Sequence, residues 1–128
     1  MKRGIQNEIT IAVTKEKTAL EMGSGTLEVF ATPAMIALME QTAAESVENE
    51  LGGENTSVGT LINVQHLAAT PVGMQITCKS TLTEIVGRTL IFEIEAHDEV
   101  GLIGKAYHER FIVNSERFVS KTREKLKK

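Results

Sequence analysis

The chain has 128 residues, a net charge of −3, and 41% hydrophobic against 24% charged residues; a chain of this size is one domain's worth, able to hide roughly 65–70% of its unfolded surface without disulfides or metal. Charges of both signs are interspersed, which excludes nucleic acid and anionic membrane as main partners, because those surfaces need concentrated Lys and Arg. Aromatics are only 4%, with no Trp, so the core has to be built from Ile, Leu, Val, Met and Ala.

In chain order, the opening "MKRGIQNEIT" has no apolar stretch of the kind that heads a secreted protein. No later apolar run approaches the ~18 residues of a membrane span. A cytoplasmic protein is expected, and the single cysteine, Cys78, suits a reducing compartment. Asn7 to Ala19 alternates and predicts an extended strand. Gly23 and Gly25 mark a loop before a helix expected at about 33–51. Thr32 is read as its N-cap, since a hydroxyl can accept from an orphan backbone N–H. Pro33 fits the first helical position, and Gly52 with Gly53 the left-handed stop. Ile36, Met39, Ala43, Val47 and Leu51 follow the 3-and-4 spacing of a buried face.

Four β runs follow: Thr56 to Ala68, Met74 to Val86, Thr89 to Ala96, and Leu102 to Val113. The turns between them predict consecutive antiparallel hairpins, a four-strand meander. Cys78 lies in the second run and reads as a packing residue. From Ser115 the chain carries six Lys/Arg against two Glu, a short charged helix. Strand, long helix and meander together predict an α+β chain with the hotdog fold. An antiparallel sheet of about five strands wraps around one helix, because a sheet with one apolar face needs a cover. Residues 1–128 form a single hotdog domain in this reading, with a basic segment from about 115. A ferredoxin-like unit would need a second long helix between strands, and none is present.

Glu40 is the oddity of the helix. With Ile36 as zero and 100° per residue, Val47 lies near about 20°, Ala43 near about −20° and Glu40 near about 40°. A carboxylate on that stripe costs several kcal/mol unless paired or protonated, which makes Glu40 a functional candidate or a stripe-edge residue reaching water. Thr32 starts the helix two turns earlier, on roughly the same side. His66 shares a strand face with Ile62 and Val64, the company of a core histidine or of a base. A hydroxyl, a carboxylate and an imidazole are the ingredients for activating water or a nucleophile. Gly59, inside a strand run, marks a bulge or a close approach of backbone to ligand. No HExxH, CxxC, GxGxxG, GxSxG or P-loop pattern occurs, so metal and dinucleotide chemistry receive no support.

The runs "VFATPAMIALMEQTA", "TSVGTLINVQHLAATPVGM" and "GRTLIFEIEAHDEVGLIGKAYHERFIV" resemble the fluoroacetyl-CoA thioesterase-like family of hotdog proteins, from about Thr10 to Val119. The resemblance implies an acyl-CoA thioesterase acting on a small acyl group. Its sites would lie at the interface of a homodimer or higher oligomer, with CoA as part of the substrate and no cofactor. The family's catalytic Thr, Glu and His carry over to Thr32, Glu40 and His66, and its site glycine to Gly59, as a substrate-binding residue. The fluoroacetyl branch has an aromatic gate before the helix; here Thr26 stands at that place, which implies a short-chain or aromatic acyl group. Arg88 and Arg110 are candidates for contact with the CoA nucleotide. A non-catalytic acyl-CoA or small-ligand binding module on the same fold is the alternative.

Overall fold

The alternating and helical patterns become five strands and one long helix in the computed structural model, which describes residues 1–127. The strands are β1 (Gln6–Ala12), β2 (Asn55–His66), β3 (Gln75–Val86), β4 (Thr89–His97) and β5 (Leu102–Asn114). The helices are α1 (Ala19–Met22), α2 (Thr32–Val47) and α3 (Ser115–Arg123). All strand pairs are antiparallel, in the order β1-β3-β4-β5-β2. The expected sheet on one helix is therefore present, but the expected meander is not. β3, β4 and β5 are consecutive hairpins, whereas β2 lies at the far edge beside β5. The "ATPVG" segment cannot close a hairpin, because its backbone is committed elsewhere. Leu67 N–H donates to Ile103 O at 2.6 Å, Gly73 N–H to Val13 O at 2.9 Å, and Phe30 N–H to Thr70 O at 2.8 Å.

The first strand also stops earlier than expected. After Ala12 the chain is tied to the loop before β3 through Val13 N–H to Met74 O at 2.9 Å. A 3-10 turn at Lys15–Lys17 and the single-turn α1 follow. Thr18 caps α1 by accepting from Glu21 N–H at 3.3 Å, and Gly23 ends it at φ +75°. Only glycine adopts that left-handed conformation without strain.

α2 starts at Thr32 and ends at Val47, where a 3-10 turn over Glu48–Glu50 takes over the last expected turn. Its buried residues centre on Met35, Leu38, Met39 and Thr42, not on Ile36, which is half-buried. Glu40 therefore sits on the flank of the stripe, half-buried. Met35 and Met39 press into a core of Ile76, Leu82, Leu90, Phe92, Ile94 and Ile103, each nearly inaccessible to solvent. Cys78 is buried there too, and burial pushes its thiol up to about 11, so it packs without reacting, as expected. α3 is the expected short charged helix, exposed from Glu116 onward and capped by Asn114, which accepts from Arg117 N–H at 3.0 Å.

The helix lies close enough on the sheet to need a glycine beneath it. A Cβ on Gly104 would stand 2.5 Å from Met35 Sδ and 3.1 Å from Gln65 O. Gly104→Ala should destabilise the fold by about 1–3 kcal/mol through overpacking. An unchanged thermal midpoint would mean that Met35 simply swings aside.

Candidate active site

α2 begins where β2 ends, and this junction brings two of the candidate residues together. Thr32 Oγ1 lies 2.7 Å from His66 Nδ1. The expectation that Thr32 caps α2 is overturned. The N-cap is Ala31, and no side chain caps the helix. Two things reduce the need for a cap. Pro33 has no N–H to satisfy, and Ala31 N–H is held outside the helix by Lys17 O at 2.9 Å. The Thr32 hydroxyl is thereby free to meet the imidazole.

His66 stands on the inward face of β2 with Ile62 and Val64, while Leu61, Asn63, Gln65 and Leu67 face outward, as the alternation predicts. The edge of its ring meets Phe30, with centroids 6.5 Å apart and planes at 84°. Burial holds the His66 pKa below the usual 6.5, because charging the ring would require removing an ion from water. Its Nε2 is buried and has no hydrogen-bond partner among the described residues. In front of the pair is an open cleft of about 330 Å³, whose walls include Ala19, Ser24, Val29, Leu67 and Ala68. His66 is the one ionisable side chain in that lining. A larger depression of about 640 Å³ on the sheet, between Asn63, Lys79, Glu93 and Tyr107, holds neither Thr32 nor His66 and mixes both charges.

Glu40 and Gly59 form a second pair. A Cβ built on Gly59 would stand 2.9 Å from Glu40 Oε2, 3.3 Å from His108 Cε1 and 3.5 Å from Arg110 Nη1. The expected irregularity at Gly59 is a register shift between Gly59 and Leu61 against β5. The glycine makes room for a carboxylate of its own chain. Glu40 and His66 are not joined within one chain. Eight residues of helix separate Glu40 from Thr32, a rise of about 12 Å.

Beneath Glu40 lies a polar network that the sequence reading did not assign. His108 and Arg110 are buried on β5. His108 Nδ1–H donates to Leu61 O at 2.8 Å, so the neutral ring presents Nε2 as acceptor to Arg110 Nη1 at 3.1 Å. Arg110 also donates to Ser57 Oγ at 2.7 Å and Ser57 O at 2.9 Å. Burial lowers the pKa of His108, with the Arg110 charge adding to the effect. Burial lowers that of Arg110 as well, against the opposing charges of Glu40 and Glu48. Arg110 is thus not a surface residue waiting for a nucleotide phosphate; Arg88 is exposed. The signal for this network was available, since alternation in "AYHERF" places Ala106, His108 and Arg110 on one face. Among the described residues, no group of three His, Cys, Asp or Glu could hold a metal ion.

Comparison with known proteins converges on one family. A sequence model described as "Fluoroacetyl-CoA-specific thioesterase" matches residues 13–116. A fluoroacetyl-CoA thioesterase from Streptantibioticus cattleyicolor is 41% identical over 98 residues, 77% of this chain and 70% of that protein. A solved structure of a fluoroacetyl-CoA thioesterase superposes with a TM-score of 0.92 at 34% identity, covering 98% of this chain and 97% of that one. A thioesterase superfamily member from Thermus thermophilus, at 23% identity, reaches a TM-score of 0.91 over 98% of this chain and 93% of its own, and shows the same fold.

Proposed function

Because the chain belongs to the fluoroacetyl-CoA-specific thioesterase family, we propose that it hydrolyses a small acyl-CoA thioester through Thr32, His66 and Glu40. The observation that carries this reading is the 2.7 Å contact between Thr32 Oγ1 and His66 Nδ1, facing an open cleft. With its proton on Nε2, the ring accepts from the Thr32 hydroxyl at Nδ1. Nδ1 takes the proton as that oxygen, or a water bonded to it, adds to the thioester carbonyl carbon. The carbonyl oxygen becomes an oxyanion. Its collapse breaks the C–S bond, and the departing sulfur takes the proton back from the imidazolium. If Thr32 itself is acylated, a water activated by the same nitrogen completes the hydrolysis. The products are a carboxylic acid and free CoA, and these steps call on no cofactor.

Glu40 joins this chemistry across a homodimer. β2 is an edge strand with one side unpaired, and such edges need a cover. Leu61 and Leu67 are exposed along it. Antiparallel pairing of two β2 strands about the run Leu61–Gln65 brings Glu40 and Gly59 of one subunit toward His66 of the other. A carboxylate arriving there orients the imidazole and stabilises its charged form, and Nε2 is the atom left for such a partner. Thr26 and its neighbours in the 23–28 segment are exposed, and the one aromatic nearby, Phe30, is buried under His66. That supports short-chain or aromatic acyl groups over fluoroacetyl selectivity. A cytoplasmic location fits a CoA substrate and a free thiol. Among the described residues, no helix is long and apolar enough to cross a membrane.

A panel of acyl-CoA esters, followed by thiol release with a chromogenic disulfide, tests the reading. At least one short or aromatic ester should release CoA, and light scattering should give twice the mass of the chain. Saturable binding with no thiol release from any ester would assign a ligand-binding module instead. A strict monomer with full activity would remove Glu40 of the partner subunit from the mechanism.

A further inference from the structure

The turn between β4 and β5 is outside the cleft, yet it is bonded to the loop that follows His66. Asp98 uses one carboxylate oxygen to close the turn, accepting from Val100 N–H at 2.8 Å and Gly101 N–H at 3.0 Å. Its other oxygen leaves the turn and accepts from the Thr70 hydroxyl at 2.8 Å. Glu99 beside it accepts from Gln75 N–H at 2.9 Å. Two successive carboxylates thus hold the β2–β3 connection at Thr70 and the start of β3 at Gln75.

Thr70 is the inner end of this grip. It is fully buried, and a buried hydroxyl bonded to a carboxylate is held more firmly than one bonded to a neutral group. Its side chain faces Asp98, and its carbonyl accepts from Phe30 N–H at 2.8 Å. Val29 and Pro71 form the adjoining bridge. Phe30 in turn meets the His66 ring in a T-shaped arrangement and leads through Ala31 into Thr32. Turn closure alone would use only one Asp98 oxygen and would not need Thr70.

We propose that Asp98 and Thr70 are positioning residues for the Thr32–His66 pair, clamping Phe30 so that hydroxyl and imidazole keep their contact and the ring stays dry. The proposal rests on reading that pair as the reacting groups. Neither residue touches the cleft. They act through two hydrogen bonds and one aromatic contact, and the force passes through Phe30 to both members of the pair at once.

Three variants test it: Thr70→Val, which keeps shape and removes the hydroxyl; Thr70→Ser, which restores it; and Asp98→Asn, which keeps the turn-closing oxygen. In Thr70→Val and Asp98→Asn, kcat should fall about tenfold with KM nearly unchanged, below the 10² that a 1 Å misplacement can cost. Thr70→Ser should recover it. Ring NMR titration supplies the readout that general loosening would not mimic. Within one chain the groups against the His66 ring, Thr32 and Phe30, carry no charge, and the partner subunit's Glu40 is the same in wild type and variants. The His66 midpoint should therefore rise in the two clamp variants as water enters and relieves the burial that holds it down. His108, buried in a different network, should keep its midpoint. The proposal is overturned if kcat and the His66 midpoint stay put in a folded variant, or if His66 and His108 shift together. If one variant does not fold, the other decides. If the wild type releases no thiol from any ester, the functional reading fails, while the NMR comparison still decides the clamp.

Discussion

His66→Ala should reduce thioester turnover by about 10² or more while changing stability by no more than about 1 kcal/mol. The two halves of this expectation have separate causes. Turnover should fall because, in the mechanism proposed above, Nδ1 takes the proton from the attacking oxygen. Stability hardly moves because two losses and one gain nearly cancel. The ring gives up its bond to Thr32 and its edge contact with Phe30, but the unpartnered buried Nε2 disappears with it. Thr32→Ala should behave alike, whereas Thr32→Ser keeps the hydroxyl and should keep most of the rate. The pH profile carries the same signature. Within one chain, burial holds the His66 pKa below 6.5, and the partner subunit's Glu40 would raise it again. So kcat/KM should rise with pH through the His66 midpoint and level off, and Glu40→Gln should move that midpoint down. The same sign governs folding. The unfolded chain takes up protons on His66 and His108 first, so stability from these two neutral rings is complete above 6.5 and lost as pH falls below it. A kcat/KM with no acid limb, or full activity in His66→Ala, would remove the imidazole from the mechanism.

Gly59→Ala should lower activity far more than stability. Its φ is not in the left-handed region, so alanine suffers no backbone strain. The methyl would stand 3.3 Å from Cε1 of the buried and hydrogen-bonded His108, so stability should fall by about 1 kcal/mol through overpacking. The new methyl, however, would stand 2.9 Å from Glu40 Oε2, and the carboxylate must move. We expect turnover to fall toward that of Glu40→Gln, which itself should lose about 10². The double variant decides how Gly59 acts. If the glycine serves only to seat Glu40, adding Gly59→Ala to Glu40→Gln should cost nothing more. If Gly59 contacts the thioester on its own account, the two losses should multiply.

Much of this arrangement was legible in the residues, and the parts that were not share a cause. Period-2 and 3-and-4 spacing are local, so α2 and the last four strands were readable to within a few residues, whereas the first strand ends at Ala12 and not at Ala19. Thr32 and His66 were recognisable as types in context. The position of β2 was not, because strand order depends on which backbone groups meet across the chain, and Leu67 N–H finds Ile103 O. The role of the Thr32 hydroxyl was misread for a similar reason. A Thr before a Pro is a good local cap, but a distant imidazole outcompetes the helix for it. The centre of the α2 stripe was shifted because Met35 and Thr42 were left out of the buried face. The separation of Glu40 from Thr32 was computable from helix rise alone, and the homodimer proposed above is a way to close it. Arg110 was visible as an inward-facing residue of β5, yet a charged side chain with buried partners of its own invites a surface reading when only its type is considered.

The uncapped start of α2 has a consequence for how the protein opens. Phe30 N–H and Ala31 N–H bond to Thr70 and Lys17, not to the helix they introduce. The first turn is therefore coupled to the loops around it, while the turns from Met39 to Val47 are anchored in the core. Partial unfolding that frees the loops would carry Thr32 away and leave the rest of α2 standing. In hydrogen-exchange terms, the two amides ahead of Thr32 belong to the opening unit of the loops. The Thr32 hydroxyl would be lost at a lower free energy than the fold itself.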